Sequence, residues 1–383
     1  KHLIPQFKEL VDKFKPSVIF FYVVWDFNHK SFRSNEMVQY YYDVVGKEGI
    51  VNDRWGIGFN HGYSTPEYSS GIMDKNHPWA ECRGLSRSFA LNRNADLETY
   101  LTSEDLIKHF ARLVAAGGGL TINVGPSADG KIPLLQQERL LDLGQWIKVN
   151  EEAIYGSRPF EIVYQNQDMI ANRLDEEINF NWVRNSPSKG VSEDNFSILW
   201  KSNITPTQTD TYTIYLEADE EAGLEIKDDE GKTILRLSSQ KEEVKHKIKL
   251  KKDHNYTFEL SYQEKTHEAV VKLSWECSQF EKQPIKSKWN GEVSWENTYV
   301  CFTKNKGNLY AISLEPISNS LTFKLDKAPE VEMKVFLLGE KRIEIPWQYD
   351  YENNKITLDT REITPANITT KGAWVFKLDN YIN

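Results

Sequence analysis

The periodicity of this 383-residue chain changes near Pro159, and that change limits what the chain can fold into. Before Pro159, apolar runs alternate with helical periods. After it, long helical periods stop and short alternating strands take over. Strands interleaved with helices build parallel α/β sheets, whereas successions of short strands build sandwiches. The chain is therefore expected to be multidomain, α/β first and all-β afterwards. Its length suits two or three domains.

The N-terminal part can be read element by element. Pro5 to Phe14 carries apolar residues at helical spacing, and Pro16 ends that helix. Val18–Phe21 reads as a strand buried on both faces, as in a parallel sheet. A helix is expected at 35–45, a short strand at 49–52 and a Gly- and Tyr-rich loop at 56–71. Thr102-Ser103-Glu104-Asp105 opens a further helix with carboxylates in its first turn. That helix runs to about Ala116, where Gly117-Gly118-Gly119 stops it. Leu120–Val124 reads as a buried strand and Pro133–Val149 as a long amphipathic helix. This order predicts part of a (β/α) barrel over residues 1–158.

Residues 159–288 show strands at Phe196–Trp200, Thr211–Leu216, Thr233–Leu237, His246–Leu250, Tyr256–Tyr262 and Val270–Trp275. Turn clusters such as Asp219-Glu220-Glu221 separate them, so a β-sandwich insertion is expected. The highly charged stretch Gln240–Lys252 reads as a solvated hairpin face. Residues 289–383 are again strand-rich (Thr298–Thr303, Leu309–Leu314, Lys334–Phe336, Lys355–Leu358, Ala373–Leu378). They are expected to form a C-terminal β-sandwich.

Composition narrows the partners. No apolar run reaches the ~20 residues of a membrane span. The net charge of −9 argues against nucleic acid. Three scattered cysteines, Cys82, Cys277 and Cys301, make neither a disulfide framework nor a zinc site, and no metal or cofactor is expected. The chain starts at Lys1 with no signal peptide and reads as truncated, which leaves export open.

Several short segments carry chemistry. Val51-Asn52-Asp53-Arg54-Trp55-Gly56 follows a strand, and Ser64-Thr65-Pro66-Glu67-Tyr68 lies in the next loop. Trp79, Arg83-Gly84-Leu85, Ser88-Phe89 and Asn92-Arg93-Asn94 come next, then Asn123-Val124-Gly125-Pro126. An arginine and a glutamate at strand ends, ringed by Trp, Tyr and Phe, suit a sugar site. Aromatics take the flat sugar faces, charged groups take hydroxyls, and a carboxylic acid serves the glycosidic oxygen.

In this order the segments resemble glycoside hydrolase family 29, the α-L-fucosidases. The resemblance covers residues 1–158 and resumes at about 288–383. It implies a retaining mechanism on a TIM-like (β/α) barrel, of which this is the C-terminal part, followed by a β-sandwich. It also implies a fucosylated glycan as substrate. Glu67 matches the family's acid/base, Arg54 its fucose-binding arginine, and Phe89 the aromatic against the fucose methyl face. Trp25 matches the tryptophan after the nucleophile. Trp55 and Trp79 are added as substrate-binding candidates.

Tyr22 stands where the family carries its aspartate nucleophile, and Asp26 lies four residues on. A tyrosine nucleophile has precedent in sialidases, but phenols as a class, ionising near ~10, need a strong base beside them. Other departures are Ala80 where glutamate is usual, Ala90-Leu91 where Gly-Tyr is usual, and Gly119 where Asn is usual. Three readings stay open: a hydrolase with Glu67 as acid/base, a fucoside-binding protein without turnover, and a hydrolase whose carboxylate comes from Asp26 or an upstream residue. The family's first barrel half is absent, and the sequence leaves open whether it was cleaved, sits in another chain or belongs to a segment not included here.

The insertion has its own resemblance. Ile178-Asn179-Phe180-Asn181-Trp182, Asp210-Thr211-Tyr212-Thr213-Ile214 and Leu273-Ser274-Trp275 are similar to the protective-antigen-type β-sandwich, often attached to carbohydrate-active proteins. Some members hold a calcium ion on paired aspartates. Here the turn reads Asp219-Glu220-Glu221-Ala222, so none is expected. By family analogy the location is periplasmic or extracellular.

Overall fold

The computed structural model describes residues 2–22, 27–59, 61–68, 77–183, 186–188, 190–191, 195–265 and 269–382. The chain divides into two compact units. One comprises Lys1–Tyr164 with Val300–Asn383, the other Gln165–Tyr299.

The first unit begins with helix α1 (Leu3–Phe14), which stops at Lys15 in the left-handed region. Pro16 follows and cannot donate to a further turn. Next come strand β1 (Val18–Ile19) and helices α2 (His29–Phe32) and α3 (Ser34–Val45). Strands β2 (Ile50–Val51), β3 (Ala80–Gly84) and β4 (Gly119–Asn123) lie among helices α4 (Ser103–Ala115), α5 (Leu134–Val149) and α6 (Glu151–Ile154). β1 pairs β2, and β3 pairs β4, both parallel. The segment 63–67 lies between β2 and β3, tied by the parallel bridges Asn52↔Tyr63, Ser64↔Trp79 and Glu67↔Cys82. Thr102 caps α4 by accepting from the Asp105 N–H at 3.1 Å. Gly117, at φ +82°, turns the chain out of that helix, and the Gly118 N–H returns to the Leu113 carbonyl at 2.9 Å.

One expectation is corrected here. The stretch from Val18 is a two-residue strand, not a run buried on both faces. Val18 and Phe20 are 49% and 42% exposed. Among the described residues β1 pairs with β2 alone, so no second neighbour covers its outer side.

Two apolar clusters hold this unit. Phe7, Val11, Met37, Tyr41, Val51 and Trp55 form one. The other joins α4 and α5 to the C-terminal strands, through Leu106, Leu113, Trp146, Tyr310, Ile312 and Val375. Trp146 Nε1 donates to the Ala373 carbonyl at 2.7 Å. Each fully buried side chain of this size contributes roughly 1.5–3 kcal/mol.

The second unit is antiparallel. With β5 (Arg158–Asp175) it contains β6 (Asn179–Val183), β7 (Phe196–Ile204), β8 (Asp210–Lys227), β9 (Thr233–Leu250), β10 (Tyr256–Glu264), β11 (Ala269–Cys277), β12 (Phe280–Pro284) and the start of β13 (Trp289–Asn305). β8 changes partner along its length. Residues 213–218 pair β11, residues 221–227 pair β10, and β9 flanks both halves. The register shift between Ala218 and Glu221 marks the bend. The resulting layers bury Trp200, Ile214, Leu224, Phe258, Leu260 and Trp289 between them.

In the first unit, β13 continues to β14 (Asn308–Ser313). Then come β15 (Ser320–Lys324), β16 (Val335–Leu337), β17 (Ile343–Glu344), β18 (Trp347–Asp350), β19 (Lys355–Asp359) and β20 (Trp374–Leu378). They form two antiparallel groups, β13-β14-β20-β16-β17 and β15-β19-β18.

Candidate active site

The parallel strands put one set of ends together. Tyr22 follows β1, Arg54 follows β2, Glu67 ends the 63–67 segment, and Asn123 ends β4. The C-terminal ends of parallel strands are where α/β enzymes place their chemistry, because the loops there are free to vary.

Asn52 fixes the first two ends to each other. Its side chain accepts from the Phe21 N–H and donates to the Phe21 carbonyl, each at 2.9 Å. Two residues on, Arg54 is buried to 5% exposure and spends its guanidinium on the next loop. Nε donates to Thr65 Oγ1 at 2.8 Å, Nη2 donates to the Thr65 carbonyl, and Nη1 pairs with Glu67 Oε1. Asp53 holds the same threonine from the other side, accepting from its hydroxyl at 2.7 Å and its N–H at 3.1 Å. The Thr65-Pro66-Glu67 loop is thus clamped by neighbouring residues of one turn.

Tyr22 completes the group. Its hydroxyl donates to Glu67 Oε1 at 3.3 Å. The Arg54 Cζ lies 5.0 Å from the Tyr22 ring centroid and 5.5 Å from that of Phe20. Both rings are largely exposed, so the charge of Arg54 is covered by aromatic faces that also meet solvent.

Phe89 is one step removed. It packs edge-on to Tyr68 with centroids 5.1 Å apart, and Tyr68 is the residue after Glu67. Tyr68 adopts φ +49°, its N–H donates to the Cys82 carbonyl, and its hydroxyl accepts from the Gly84 N–H and donates to the Ser86 carbonyl. The Phe89 carbonyl accepts from Asn123 Nδ2 at the end of β4. Arg54, Glu67 and Tyr22 meet directly, therefore, and Phe89 joins them through Tyr68.

Beneath this surface lies a polar group of which the sequence flagged only Arg83. Glu81 and Arg83 alternate on β3, and His109 comes from α4. Glu81 is completely buried and its Oε2 meets His109 Nε2 at 2.5 Å, with Arg83 Nη1 at 3.6 Å from Oε1. Burial holds His109 below the ordinary histidine range; Glu81 opposes that, and Arg83 and Arg112 reinforce it. Arg83 also presents its guanidinium to Tyr68, 5.4 Å from the ring centroid. Cys82, between them on the strand, is pushed up by burial, with Arg54 opposing. Small hints existed, a Glu-x-Arg pair on a strand and a histidine on the apolar face of a helix, but pairing them needs the fold.

Other sequence candidates lie elsewhere. Trp55 is completely buried and stacks on Phe21 with centroids 4.2 Å apart, so it faces the core and not a ligand. Trp79 is 5% exposed and packs over Gly118. Large aromatics serve core and sugar sites alike, and only the register of their strands decides which. Trp25 and Asp26 lie outside the described residues. Among the described residues no three His, Cys, Asp or Glu side chains are placed to hold a metal, and no helix is long and apolar enough to cross a membrane.

Chemically, the site offers one carboxylate at the surface, a phenol in contact with it, a fixed cation and exposed rings. That set can bind hydroxyls, stack on a sugar face and move a proton between an oxygen nucleophile and a leaving oxygen.

Residues 1–152 match the family described as Alpha-L-fucosidase, and residues 154–289 match the PA14 domain. An alpha-L-fucosidase of Branchiostoma floridae is 36% identical over 160 residues, covering 40% of this chain and 35% of that protein. The plasma alpha-L-fucosidase of Rattus norvegicus is 35% identical over the same length and shares of each chain. The matched stretch thus spans about a third of these relatives. Among solved structures, Thermotoga maritima alpha-fucosidase in complex with fucose aligns with a TM-score of 0.51 at 18% identity, covering 98% of this chain and 55% of that one. Alpha-L-fucosidase isoenzyme 1 from Paenibacillus thiaminolyticus aligns with a TM-score of 0.52 at 14% identity, covering 98% and 61%. At such identities the likeness is one of fold.

Proposed function

We infer, from a chain whose residues 1–152 belong to the alpha-L-fucosidase family and whose residues 154–289 belong to the PA14 domain, that the site at Arg54 and Glu67 hydrolyses α-L-fucosyl linkages of glycans. The observation that carries this reading is the convergence of Arg54 and Tyr22 on one oxygen of Glu67. In this reading Glu67 is the base beside the tyrosine. Sialidases supply the chemical precedent for a tyrosine nucleophile.

The steps balance with these groups alone. The Tyr22 oxygen bonds to the anomeric carbon as the bond from that carbon to the leaving oxygen breaks. The phenol proton passes to Glu67, which delivers a proton to the leaving oxygen. In the second step Glu67 takes a proton from water, the water oxygen bonds to the anomeric carbon, and Tyr22 leaves and regains its proton. Two displacements give net retention. Arg54 holds Glu67 in place and offers donors to sugar hydroxyls. Phe89 and Tyr22 present rings to the sugar's apolar face. In this reading the 1–158 region is the C-terminal part of a (β/α) barrel. The protein acts outside the cytoplasm, where fucosylated glycans are met.

A second reading has a specific observation in its favour. The group facing Glu67 is a phenol, largely exposed, where a carboxylate would attack better. On that reading the site binds fucosides without turnover. Trapping separates these readings. The full protein would be incubated with 2-deoxy-2-fluoro-L-fucosyl fluoride and its peptides weighed. A mass increment on the Tyr22 peptide is the expected result. An increment at Asp26 moves the nucleophile there. No increment, with fucose binding kept and aryl α-L-fucoside left intact, establishes the binding protein and overturns hydrolysis.

A further inference from the structure

The second unit carries a row of cations that, among the described residues, has no ion-pair partner, although Lys245 lies over the Tyr215 ring at 5.7 Å from its centroid. Residues 244–252 read Val-Lys-His-Lys-Ile-Lys-Leu-Lys-Lys, five lysines and no acidic residue, in a chain of net charge −9. Seven of these residues, 244–250, lie in the register of β9 with β8, with Lys245 opposite Tyr215, Lys247 opposite Thr213 and Lys249 opposite Thr211. Period-2 alternation puts these three lysines on one face, spaced roughly 7 Å apart along the strand. Val244, Ile248 and Leu250 take the other face, towards the apolar core.

The strand is an edge. Among the described residues β9 pairs with β8 and nothing else. Edge strands often carry a lysine to discourage pairing with another chain, and one charge suffices for that. Here the charges are consecutive, so each repels the next. They also lack counter-charges. The two other lysines on this face are neutralised, Lys272 by Glu217 at 2.8 Å and Lys282 by Glu243. Glu276, on the same face, is taken by the Tyr215 hydroxyl at 2.6 Å. No ion pair among the described residues engages Lys245, Lys247, Lys249, Lys251 or Lys252. All five are exposed.

We propose that this lysine row on β9 binds an anionic polysaccharide, one bearing a sulfate ester or a uronic carboxylate on successive sugars. Charge complementarity and spacing argue for it. A straight row of cations at a regular repeat fits a stiff polymer with regularly spaced anions. The row has no exposed apolar side chain of its own strand beside it to enter a bilayer, since Val244, Ile248 and Leu250 face inward, and duplex DNA is the polyanion the test sets against it. The glycan class rests on the reading of the site as glycan-directed, while the cationic row itself does not.

The test is affinity electrophoresis of the full protein in gels containing dextran sulfate, polygalacturonate or neutral dextran, with duplex DNA as a fourth arm. Fucosidase turnover plays no part in the readout, so failure of the site reading and failure of this one remain distinguishable. The expected result is retardation by one or both anionic polysaccharides and by neither neutral dextran nor DNA. Retardation by dextran sulfate alone assigns sulfate, by polygalacturonate alone carboxylate, and by both, charge of either kind. The triple variant Lys245→Ser, Lys247→Ser, Lys249→Ser is expected to weaken binding at least tenfold and flatten its salt dependence. A control removes the same charge from exposed lysines elsewhere, Lys324→Ser, Lys341→Ser and Lys355→Ser, and is expected to bind as wild type. No retardation, equal retardation by DNA or neutral dextran, or equal weakening in both triple variants would overturn the proposal.

Discussion

The Tyr22 hydroxyl donates to Glu67 Oε1 across 3.3 Å, on the same oxygen that Arg54 pairs with. The contact makes the tyrosine chemically relevant to the only carboxylate the sequence singled out as acid/base. Its consequences can be tested one residue at a time.

Glu67→Gln keeps an oxygen for Tyr22 and Arg54 but cannot carry a proton between two oxygens. Turnover of 4-nitrophenyl α-L-fucoside should fall by about 10²–10⁴-fold. The far-ultraviolet circular dichroism should stay unchanged.

Arg54→Lys tests the clamp. A lysine ammonium cannot reproduce three donors in a fixed fork. The variant leaves Thr65 Oγ1, the Thr65 carbonyl and Glu67 short of partners in a mostly buried place. Stability should fall by about 1–3 kcal/mol, read as a lower urea midpoint at unchanged slope. The Michaelis constant should rise as well.

Gly118→Ala probes the packing behind the site. A Cβ there would clash with the Trp79 ring, which is itself held in the core. That ring is 5% exposed, so overpacking against it should cost about 1–3 kcal/mol in thermal or denaturant unfolding.

His109 predicts a pH dependence. Its folded-state value is lowered, chiefly by burial. The unfolded chain therefore binds more protons near neutrality, and stability rises with pH there. This contribution is fully present above about 6.5 and is lost as pH falls below it. His109→Gln keeps a donor for Glu81 without titrating. Wild type should lose stability between pH 7 and pH 5 at up to about 1.4 kcal/mol per unit more steeply than the variant.

Much of this molecule was legible before its coordinates. The α/β order of the first part, the Thr102 cap, the glycine stop at 117 and the antiparallel insertion follow from local rules. They depend on spacing and on residues whose backbone preferences are strong. The pairing of Arg54 with Glu67 was legible only as motif order. What escaped was non-local. Val18 and Phe20 look like core residues, yet their exposure depends on which strand lies beyond β1. Trp55 and Trp79 look like sugar platforms, yet they turn inward. The buried Glu81–His109 pair joins a strand and a helix nearly thirty residues apart. The lysine row at 245–249 read as a solvated face, and only the ion-pair pattern around it showed that, among the described residues, no carboxylate pairs with it.

The measurement closest to the central claim is the initial rate of 4-nitrophenyl α-L-fucoside cleavage by the wild-type chain beside Glu67→Gln and Tyr22→Phe. The account predicts wild-type turnover that collapses in both variants. Turnover that survives the loss of the Glu67 carboxylate would contradict it.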